Sequence, residues 1–329
     1  MLRLFDIASP LRSVFGIPFA ENKVFRRQKF LKCQEKLFSR SFSCGGAGQS
    51  PVLFPTKESI MKIGFIGCGN MGGALARAAV KGVSAKNVAI AEKDEARAKA
   101  FADETGVTVM SAEDVIASSD YVFLGVKPQM LGQVLAGLQG ALADRCTKAG
   151  RLVLVSMVAG VTTEKVQALA GGDYPVIRIM PNLPVSVGEG MILYGTAGGV
   201  TEEELDGFLG AMKEAGQFCR LEEKLMDAGT AVSGCGPAFV CLMIEALADG
   251  GVQVGLPRDK ALLLAEQTLL GTAKLLLTTE TQPGVLKDAV CSPGGSTIAG
   301  VHALEEGAFR GVTSDAVLAA YERTVELGK

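Results

Sequence analysis

The amino-acid sequence predicts an α/β domain, built on a parallel sheet with helices on both faces, followed by an all-α domain. From Met61 onward, short apolar runs alternate with amphipathic helical patterns, which is typical of parallel strands covered by helices. A glycine-rich turn, residues 67–72, joins the first apolar run to the first helical pattern. Beyond about Glu223 the strand patterns stop and long helical stretches follow.

The composition narrows the class of protein before any motif is considered. A chain of 329 residues, 48% of them hydrophobic, is long enough for two domains. Its net charge of −2 argues against a nucleic-acid-binding protein. Eight scattered cysteines and a single histidine predict no metal site and a reducing, cytoplasmic environment. We find no run of about 18 uncharged apolar residues and therefore predict no membrane span.

Residues 1–60 differ from the rest of the chain. They carry a net charge of +6, against −8 for the remainder, and Met61 begins a sequence that looks like a normal protein start. Three origins stay open: a start site chosen too far upstream, an organelle transit segment, or a cloning leader. We predict a poorly ordered leader over residues 1–60, a first domain over residues 61–222 and a second over residues 223–329.

Five predicted strands and three predicted helices organise the first domain. The strands are residues 62–66, 87–91, 120–126, 151–156 and 176–180, and the helices are residues 71–80, residues 94–104 and one capped near Thr162 or Thr163. Ligands bind beyond the carboxyl ends of parallel strands. Gly67, Lys127 and Ala159 follow three of these strands, so we expect them to converge on one crevice.

The glycine turn has the pattern of a phosphate-binding loop. Gly67 permits a tight turn, Gly69 lets the backbone approach a pyrophosphate, and Gly72 lets the helix pack closely on the strand. The helix N-terminus adds bare N–H groups, so we predict a dinucleotide site, with a structural turn as the alternative. Glu92 is placed to bind the ribose 2′-hydroxyl of NAD(H), and Lys93 the 2′-phosphate of NADP(H). An exposed charged pair at a helix start is the alternative for these two residues.

The second half predicts long helices over residues 237–248 and 257–277. The latter helix is apolar on most sides and needs cover on more than one face. We therefore expect a second subunit to cover it, with an ordinary intrachain core as the alternative. Residues 292–297 (SPGGST) predict another helix N-terminus, which suits a small carboxylate, or else a capped turn between helices.

Together, these segments resemble the pyrroline-5-carboxylate reductases from Met61 to the end of the chain. The motifs are 65–72 (FIGCGNMG), 126–128 (VKP), 159–162 (AGVT), 180–184 (MPNLP), 232–239 (VSGCGPAF), 246–251 (ALADGG), 255–257 (GLP), 283–288 (PGVLKD), 292–297 (SPGGST) and 307–310 (GAFR). The resemblance implies reduction of the cyclic imine 1-pyrroline-5-carboxylate to L-proline by NADP(H) or NAD(H). It also implies a Rossmann-like domain, an all-α dimerisation domain, homodimers that often associate into decamers, and a substrate site completed by the partner subunit.

The resemblance assigns site residues position by position. The implied cofactor contacts are Gly67, Cys68, Gly69, Asn70 and Met71 beside Gly72 of the glycine pattern, then Val126, Lys127 and Pro128, then Met157, Val158 and Ala159. The implied substrate contacts are Glu223, Glu280, Ser292, Gly294, Gly295, Ser296 and Thr297. Two positions depart from the family: Leu183 stands where threonine is usual, and Cys235 where serine is common. The hydrogen bonds of two hydroxyls near the nicotinamide are therefore in doubt.

Hydride transfer to a C=N bond needs aligned reactants rather than a covalent catalyst. We expect backbone N–H groups of Gly294 and Gly295 to hold the substrate carboxylate. Thr297, the predicted catalytic residue, would orient the ring nitrogen through its hydroxyl, with a structural helix cap as the alternative. His302 is expected at the surface or an interface, and Cys68 is expected to be a small turn residue rather than a nucleophile.

Two other functions stay open at this point. A 3-hydroxyacid dehydrogenase relies on a lysine in a G-x-x-x-K-x-x-N helix, and residues 271–274 are one residue too short for that pattern. A non-catalytic nucleotide-sensing dimer is the second alternative, and the intact loop of residues 292–297 weighs against it. Between the coenzymes, the resemblance favours NADPH, and the ratio of kcat/KM values for NADPH and NADH decides.

Overall fold

Residues 61–327 are described by the structure, a computed structural model, and the expected leader over residues 1–60 lies outside them. Within this range one eight-stranded sheet has the order β3-β2-β1-β4-β5-β6-β7-β8. The strands are β1 (Ile63–Ile66), β2 (Val88–Ala91), β3 (Thr108–Val109), β4 (Tyr121–Leu124), β5 (Val153–Ser156), β6 (Val176–Pro181), β7 (Gly190–Ala197) and β8 (Gly216–Arg220).

The expected parallel sheet is confirmed, with one antiparallel pair added to it. Neighbouring strands run parallel except for β6 and β7. The chain passes from β6 to β7 through residues 182–189. A parallel crossover needs a dozen or more residues, so this short connection returns the chain in the opposite direction.

The helices that accompany the sheet are α1 (Asn70–Val83), α2 (Glu95–Thr105), α3 (Ala112–Ser118), α4 (Pro128–Ala149), α5 (Thr163–Ala170) and α6 (Glu202–Ala211). The helices predicted over residues 71–80 and 94–104 are confirmed as α1 and α2. Thr162 caps α5, since its Oγ1 accepts the Lys165 N–H at 3.3 Å. Helix α4 was not predicted, and it begins at Pro128, where a missing N–H costs nothing.

Apolar side chains fill both faces of the sheet, because successive residues of a strand point to opposite sides. One cluster contains Phe65 stacked on Phe123, with ring centroids 4.4 Å apart, and it continues to Phe208. The other cluster contains Leu124 of β4 and Leu135 of α4. The central strands are therefore buried on both sides and are held rigidly, and their carboxyl ends supply a fixed base for the loops that follow.

Beyond β8 the described chain is helical. The elements are α7 (Met226–Gly229), a π-helical turn (Thr230–Gly234), α8 (Gly236–Gln253), α9 (Arg258–Thr279), α10 (Pro283–Ala289), α11 (Ser296–Glu306) and α12 (Phe309–Leu327). Helix α12 packs against α7 and the π-helical turn. Contacts group residues 61–279 with residues 300–327 in one compact unit, whereas residues 280–299 belong to another.

Helices α8 and α9 expose many large apolar side chains. Leu242, Leu263 and Leu270 are 66%, 58% and 58% exposed, respectively. The stretches Glu223–Gln253 and Arg258–Thr279 are long and apolar enough to cross a membrane, so length and composition alone do not support the predicted absence of a span. The same exposure is expected of helices that a second subunit covers.

Candidate active site

The glycine turn after β1 has the tight geometry that its sequence predicts. Gly67 has φ +96°, and a Cβ there would lie 2.6 Å from the carbonyl oxygen of Gly125. A Cβ on Gly72 would lie 2.4 Å from the carbonyl oxygen of Gly67. At Gly69, by contrast, an added Cβ meets no atom within 4 Å. The turn is therefore packed tightly on its inner side and open at its tip.

Helix α1 begins directly at this open tip. Its N-cap is Gly69, which makes no side-chain cap hydrogen bond, and its first turn carries no acidic residue. The first N–H groups of a helix have no acceptor within the helix, and the helix dipole adds partial positive charge there. Asn70 and Met71 open the helix at this point. The arrangement can bind an anionic group such as a phosphate.

Glu92, at the end of β2, ties the loop to the next helix. Its Oε2 accepts the Cys68 N–H at 2.8 Å, and its Oε1 accepts the Asp94 N–H at 3.1 Å. The side chain is only 9% exposed, and the guanidinium of Arg97 lies 3.7 Å away. The Cys68 N–H is therefore already bonded within the chain, and an anion at the loop would meet the N–H groups that follow it.

Cys68 has the properties of an inert residue. Burial, followed by the nearby Glu92 carboxylate, raises the pKa of its thiol to about 12. The thiolate is the reactive form of cysteine, so this thiol is not a nucleophile at neutral pH. The prediction that Cys68 is a small turn residue is consistent with this environment.

A cavity of about 610 Å³ opens beyond the carboxyl ends of β1, β2 and β4. From the predicted cofactor residues it brings together Gly67, Gly69, Glu92, Lys93, Val126 and Lys127. Its other walls come from side chains that the sequence analysis did not single out, namely Arg97, Met110, Glu113, Met130, Gln133 and Val134 among others. The lining combines apolar side chains with charged ones, which suits a ligand with an aromatic base and a charged end.

A second cavity, of about 300 Å³, lies on the other side of the loop. Its lining includes Cys68, Asn70, Arg77 and Glu104, and it shares Gly69 and Arg97 with the larger cavity. Arg77 donates two hydrogen bonds to Glu104, at 2.7 and 2.6 Å, so its charge is already paired. Met71, Gly72 and Pro128 line neither of the two cavities.

The third predicted cofactor segment, residues 157–159, follows β5. It lines neither of these two cavities, whereas Gly67 and Lys127 line the larger one together, so the convergence of Ala159 on the same crevice stays a prediction. The side chain of Val158 is 2% exposed and packs in the core. Met157 is half-buried against the cluster on the opposite face.

Asn182 connects the end of β6 to the helical half of the chain. Its Oδ1 accepts the Met191 N–H at 2.8 Å, and its Nδ2 donates to the carbonyl oxygen of Ser233 at 3.0 Å. The next residue, Leu183, is 64% exposed. Cys235 donates its N–H to the Thr230 carbonyl at the end of the π-helical turn. Leu183 therefore follows Asn182 directly, and Cys235 lies two residues after Ser233, whose carbonyl accepts the hydrogen bond from Asn182.

Arg178 of β6 forms a second connection to the helical half. Its side chain is 3% exposed, and its Nη1 donates to Glu223 Oε1 at 2.6 Å. Asp227 Oδ1 lies 3.5 Å from Nη2, while Nε and Nη2 make no hydrogen bond to the described residues. The Glu223 carboxylate, predicted to contact substrate, is therefore engaged first by a buried guanidinium.

The loop before α11 contains a turn over residues 292–295. Gly294 has φ +68°, and the Gly295 N–H donates to the Ser292 carbonyl at 3.0 Å. A Cβ on Gly295 would lie 2.3 Å from Ser292 Oγ and 3.1 Å from the Ser292 carbonyl oxygen, so a larger residue there would force the Ser292 side chain to move. Helix α11 begins at Ser296, as predicted, and Thr297 lies in its first turn. Glu280, another predicted substrate residue, has φ +53°, which is strained for a side chain with a Cβ.

His302 lies on the exposed side of α11. Its Nε2 is 3.5 Å from Glu306, and its side chain is 74% exposed. This is the surface position that the sequence predicts. Among residues 61–327, no group of three or more histidine, cysteine, aspartate or glutamate side chains could hold a metal ion.

Two protein-family models match the chain. Residues 223–327 match the model described as pyrroline-5-carboxylate reductase dimerisation, and residues 62–160 match the one described as NADP oxidoreductase coenzyme F420-dependent. The pyrroline-5-carboxylate reductase of Arabidopsis thaliana is 42% identical over 282 residues, 84% of this chain and 99% of that protein.

Two solved structures of pyrroline carboxylate reductases are also similar to this chain. The pyrroline carboxylate reductase of Plasmodium falciparum with NADP bound has a TM-score of 0.72 and 31% identity, covering 82% of this chain and 98% of that one. The pyrroline-5-carboxylate reductase of Coxiella burnetii has a TM-score of 0.76 and 30% identity, covering 82% of this chain and 99% of that one.

Proposed function

The chain belongs to the pyrroline-5-carboxylate reductase family, and on that premise we propose how its residues divide the work of the reaction. It is an NADP(H)-dependent oxidoreductase. It reduces the C=N bond of 1-pyrroline-5-carboxylate and gives L-proline, the last step of proline biosynthesis.

The observation that carries the cofactor assignment is the open tip of the glycine turn. An added Cβ at Gly69 meets nothing within 4 Å, whereas Gly67 and Gly72 leave no room on the inner side. The residues therefore fit a pyrophosphate at the start of α1, held by backbone N–H groups from Gly69, Asn70 and Met71. Cys68 belongs to the same loop and is also proposed as a cofactor contact, although its N–H is bonded to the Glu92 carboxylate.

The rest of the dinucleotide fits the large cavity. Its apolar side chains suit the adenine, and Val126 and Lys127 line the cavity after β4. Pro128 starts α4 and fixes the direction in which this segment leaves the sheet. Residues 157–159 follow the neighbouring strand β5 and are proposed as a further cofactor contact through their backbone. When bound, the nicotinamide supplies the hydride, and the chain positions the two reactants.

The substrate carboxylate is proposed to bind the loop of residues 292–297. Support comes from the left-handed Gly294 and from the helix that starts at Ser296. Because the Gly295 N–H is bonded to the Ser292 carbonyl, the N–H groups proposed to bind the anion are those of Gly294 and the first turn of α11, each contributing roughly 1.5–3 kcal/mol. The Thr297 hydroxyl then donates to or accepts from the ring nitrogen and keeps it in place. Glu280 is proposed near the ring, where its charge would favour a protonated imine.

Glu223 is proposed as a positioning residue that acts through Arg178. Its carboxylate is bonded to the buried guanidinium of Arg178 on β6. The carboxyl end of β6 leads to Asn182, in the segment proposed to lie next to the nicotinamide. One oxygen of Glu223, Oε2, is not used in that bond, so a further polar contact with substrate stays compatible with this role.

The assembly is proposed to be a homodimer, with decamers as a further step. Residues 61–222 form the proposed dinucleotide-binding domain and residues 223–329 the proposed dimerisation domain, supported by the family model over residues 223–327. The exposed leucines of α8 and α9 supply an apolar surface for the partner subunit. A cytoplasmic location is proposed, because the cysteines of the described chain are free thiols.

The test is oxidation of NADPH in the presence of 1-pyrroline-5-carboxylate, with L-proline measured as the product. Thr297→Ala is expected to lower kcat/KM about 10- to 100-fold, corresponding to one or two lost hydrogen bonds, and Thr297→Ser to retain most of it. Thr313→Ala, another helical threonine, serves as the matched control and is expected to leave kcat/KM unchanged.

Three results would contradict this assignment. An unchanged kcat/KM in Thr297→Ala would remove the role of its hydroxyl. A loss of thermal stability without loss of kcat/KM would make Thr297 a helix cap. A wild-type chain that binds NADP+ but does not oxidise NADPH with this substrate would favour the nucleotide-sensing dimer.

A further inference from the structure

Arg97 lies where the two cavities of the nucleotide-binding half meet. It is one of two residues that line both the 610 Å³ cavity and the 300 Å³ cavity, the other being Gly69 of the phosphate loop. It belongs to the first turn of α2, which follows the end of β2. In dinucleotide-binding folds the end of β2 faces the ribose of the adenosine. Arg97 is therefore placed at the one point where NADP(H) and NAD(H) differ.

The guanidinium of Arg97 is held near two carboxylates without a short bond to either. It lies 3.7 Å from Glu92 and 3.5 Å from Asp94, both beyond the usual 2.7–3.2 Å range of N–H···O bonds. Its side chain is 53% exposed. Arg77, the other arginine beside the loop, makes two short bonds to Glu104 instead. Arg97 can thus bind an incoming anion without breaking a strong pair, and Arg77 cannot.

The Glu92 carboxylate is fixed in position beside the place where such an anion would bind. Both of its oxygens accept backbone N–H groups, and its side chain is almost fully buried. Residues 92–97 hold the carboxylates of Glu92, Asp94 and Glu95 against the positive charges of Lys93 and Arg97, a net formal charge of −1. Removing the charge of Arg97 would make this segment more negative, so that it repels a phosphate more strongly but can still accept a hydrogen bond from a hydroxyl.

We infer that Arg97 binds the adenosine 2′-phosphate and decides the preference of this enzyme for NADP(H) over NAD(H), an inference that rests on the proposed function. The planar guanidinium can donate two parallel hydrogen bonds to phosphate oxygens. Lys93 lines the same cavity but supplies a single flexible ammonium, so its contribution is smaller. Glu92 fixes the loop beside the ribose and holds Arg97 close to it.

The test is isothermal titration calorimetry of the full-length chain with NADP+, NAD+ and 2′,5′-ADP, without substrate. Arg97→Gln is expected to weaken NADP+ and 2′,5′-ADP about 10- to 100-fold and NAD+ less than about twofold. Arg97→Lys keeps the charge without the planar fork and is expected to fall between wild type and Arg97→Gln. Lys93→Gln is expected to weaken NADP+ by less than Arg97→Gln does.

Lys99→Gln is the matched control, since it removes one exposed positive charge from the same helix away from both cavities. It is expected to change none of the three affinities. Equal weakening of NADP+ and NAD+ in Arg97→Gln, or no weakening of NADP+, would overturn the inference. Wild-type oxidation of NADPH with 1-pyrroline-5-carboxylate is measured in parallel, and its absence would overturn the proposed function itself.

Discussion

Replacing Glu223 with glutamine is expected to destabilise the chain by about 2–3 kcal/mol. Arg178, its partner, is 3% exposed, and the two are 2.6 Å apart. Removing one member of a buried ion pair costs roughly 3–5 kcal/mol, because a buried charge is left without compensation. Glu223 is 31% exposed, and Asp227 stays 3.5 Å from Arg178 and still compensates part of its charge. The expected cost of the substitution is therefore at or below the lower end of that range.

The assay is urea unfolding at a fixed protein concentration, because dissociation of an oligomer makes stability depend on concentration. The cycle uses Glu223→Gln, Arg178→Met and the double variant. We expect a coupling energy of about 1–3 kcal/mol. The double variant should therefore lose less stability than the two single losses added together. With an unfolding entropy of about 2.1 cal/mol/K per residue, a chain of 329 residues loses roughly 1.5 °C of Tm per kcal/mol, so the single change lowers Tm by roughly 3–4 °C.

A measurement of kcat/KM separates the structural role from a direct substrate contact. A cost below about 0.5 kcal/mol with an unchanged m value would refute the claim that the pair with Arg178 stabilises the fold. If stability is kept while KM for 1-pyrroline-5-carboxylate rises, Glu223 contacts substrate and does not act through Arg178.

Three further predictions follow from local geometry. Gly72→Ala places a Cβ 2.4 Å from the Gly67 carbonyl, so we expect a loss of about 1–3 kcal/mol and weaker NADP+ binding; unfolding and calorimetry that match wild type would contradict this. The Cys68 thiol, with a pKa of about 12, should resist iodoacetamide at pH 8 while the exposed Cys146 reacts, and mass spectrometry that finds both labelled equally would contradict this. Although burial opposes it, hydrogen bonds from an arginine and a backbone N–H keep the pKa of Glu204 below its ordinary 4.5. The stability that Glu204 contributes is therefore present above pH 4.5 and lost as pH falls below it. In thermal unfolding, Glu204→Gln should lose less stability than wild type over that acid range. Identical slopes of Tm against pH for the two proteins would contradict this.

The strands that the sequence predicts are the ones buried on both faces. Such strands read as near-continuous apolar runs, as β1, β2, β4 and β5 do, and in β6 the run is interrupted by the buried Arg178. Strand β8 has a half-exposed, mixed sequence, and β7 includes Gly190 and Gly195, so neither has that pattern. Helix α4 contains three glycines, which lower its helical propensity, and it was missed for that reason.

In the candidate site, too, features formed by consecutive residues can be predicted from the sequence, and features formed by residues far apart in the sequence cannot. The phosphate loop is visible in the sequence because strand, glycine turn and helix are consecutive. The sequence alone does not single out Arg97, because a charged residue in a helix normally faces solvent. Its role depends on the fold, which brings the end of β2 and the start of α2 beside the phosphate loop. The pair of Arg178 and Glu223 joins residues 45 positions apart, and no spacing rule connects them.

In the proposed dimer, the exposed helices predict that substrate binding depends on assembly. A monomer would leave Leu242, Leu263 and Leu270 largely in water, and each leucine gains roughly 1.5–3 kcal/mol when it is fully buried. A partner subunit that covers them therefore stabilises the half of the chain to which the proposed substrate loop belongs. The nucleotide-binding half has its own two-sided core and does not need that cover. Loss of the partner should consequently impair substrate binding before it impairs the binding of NADP+.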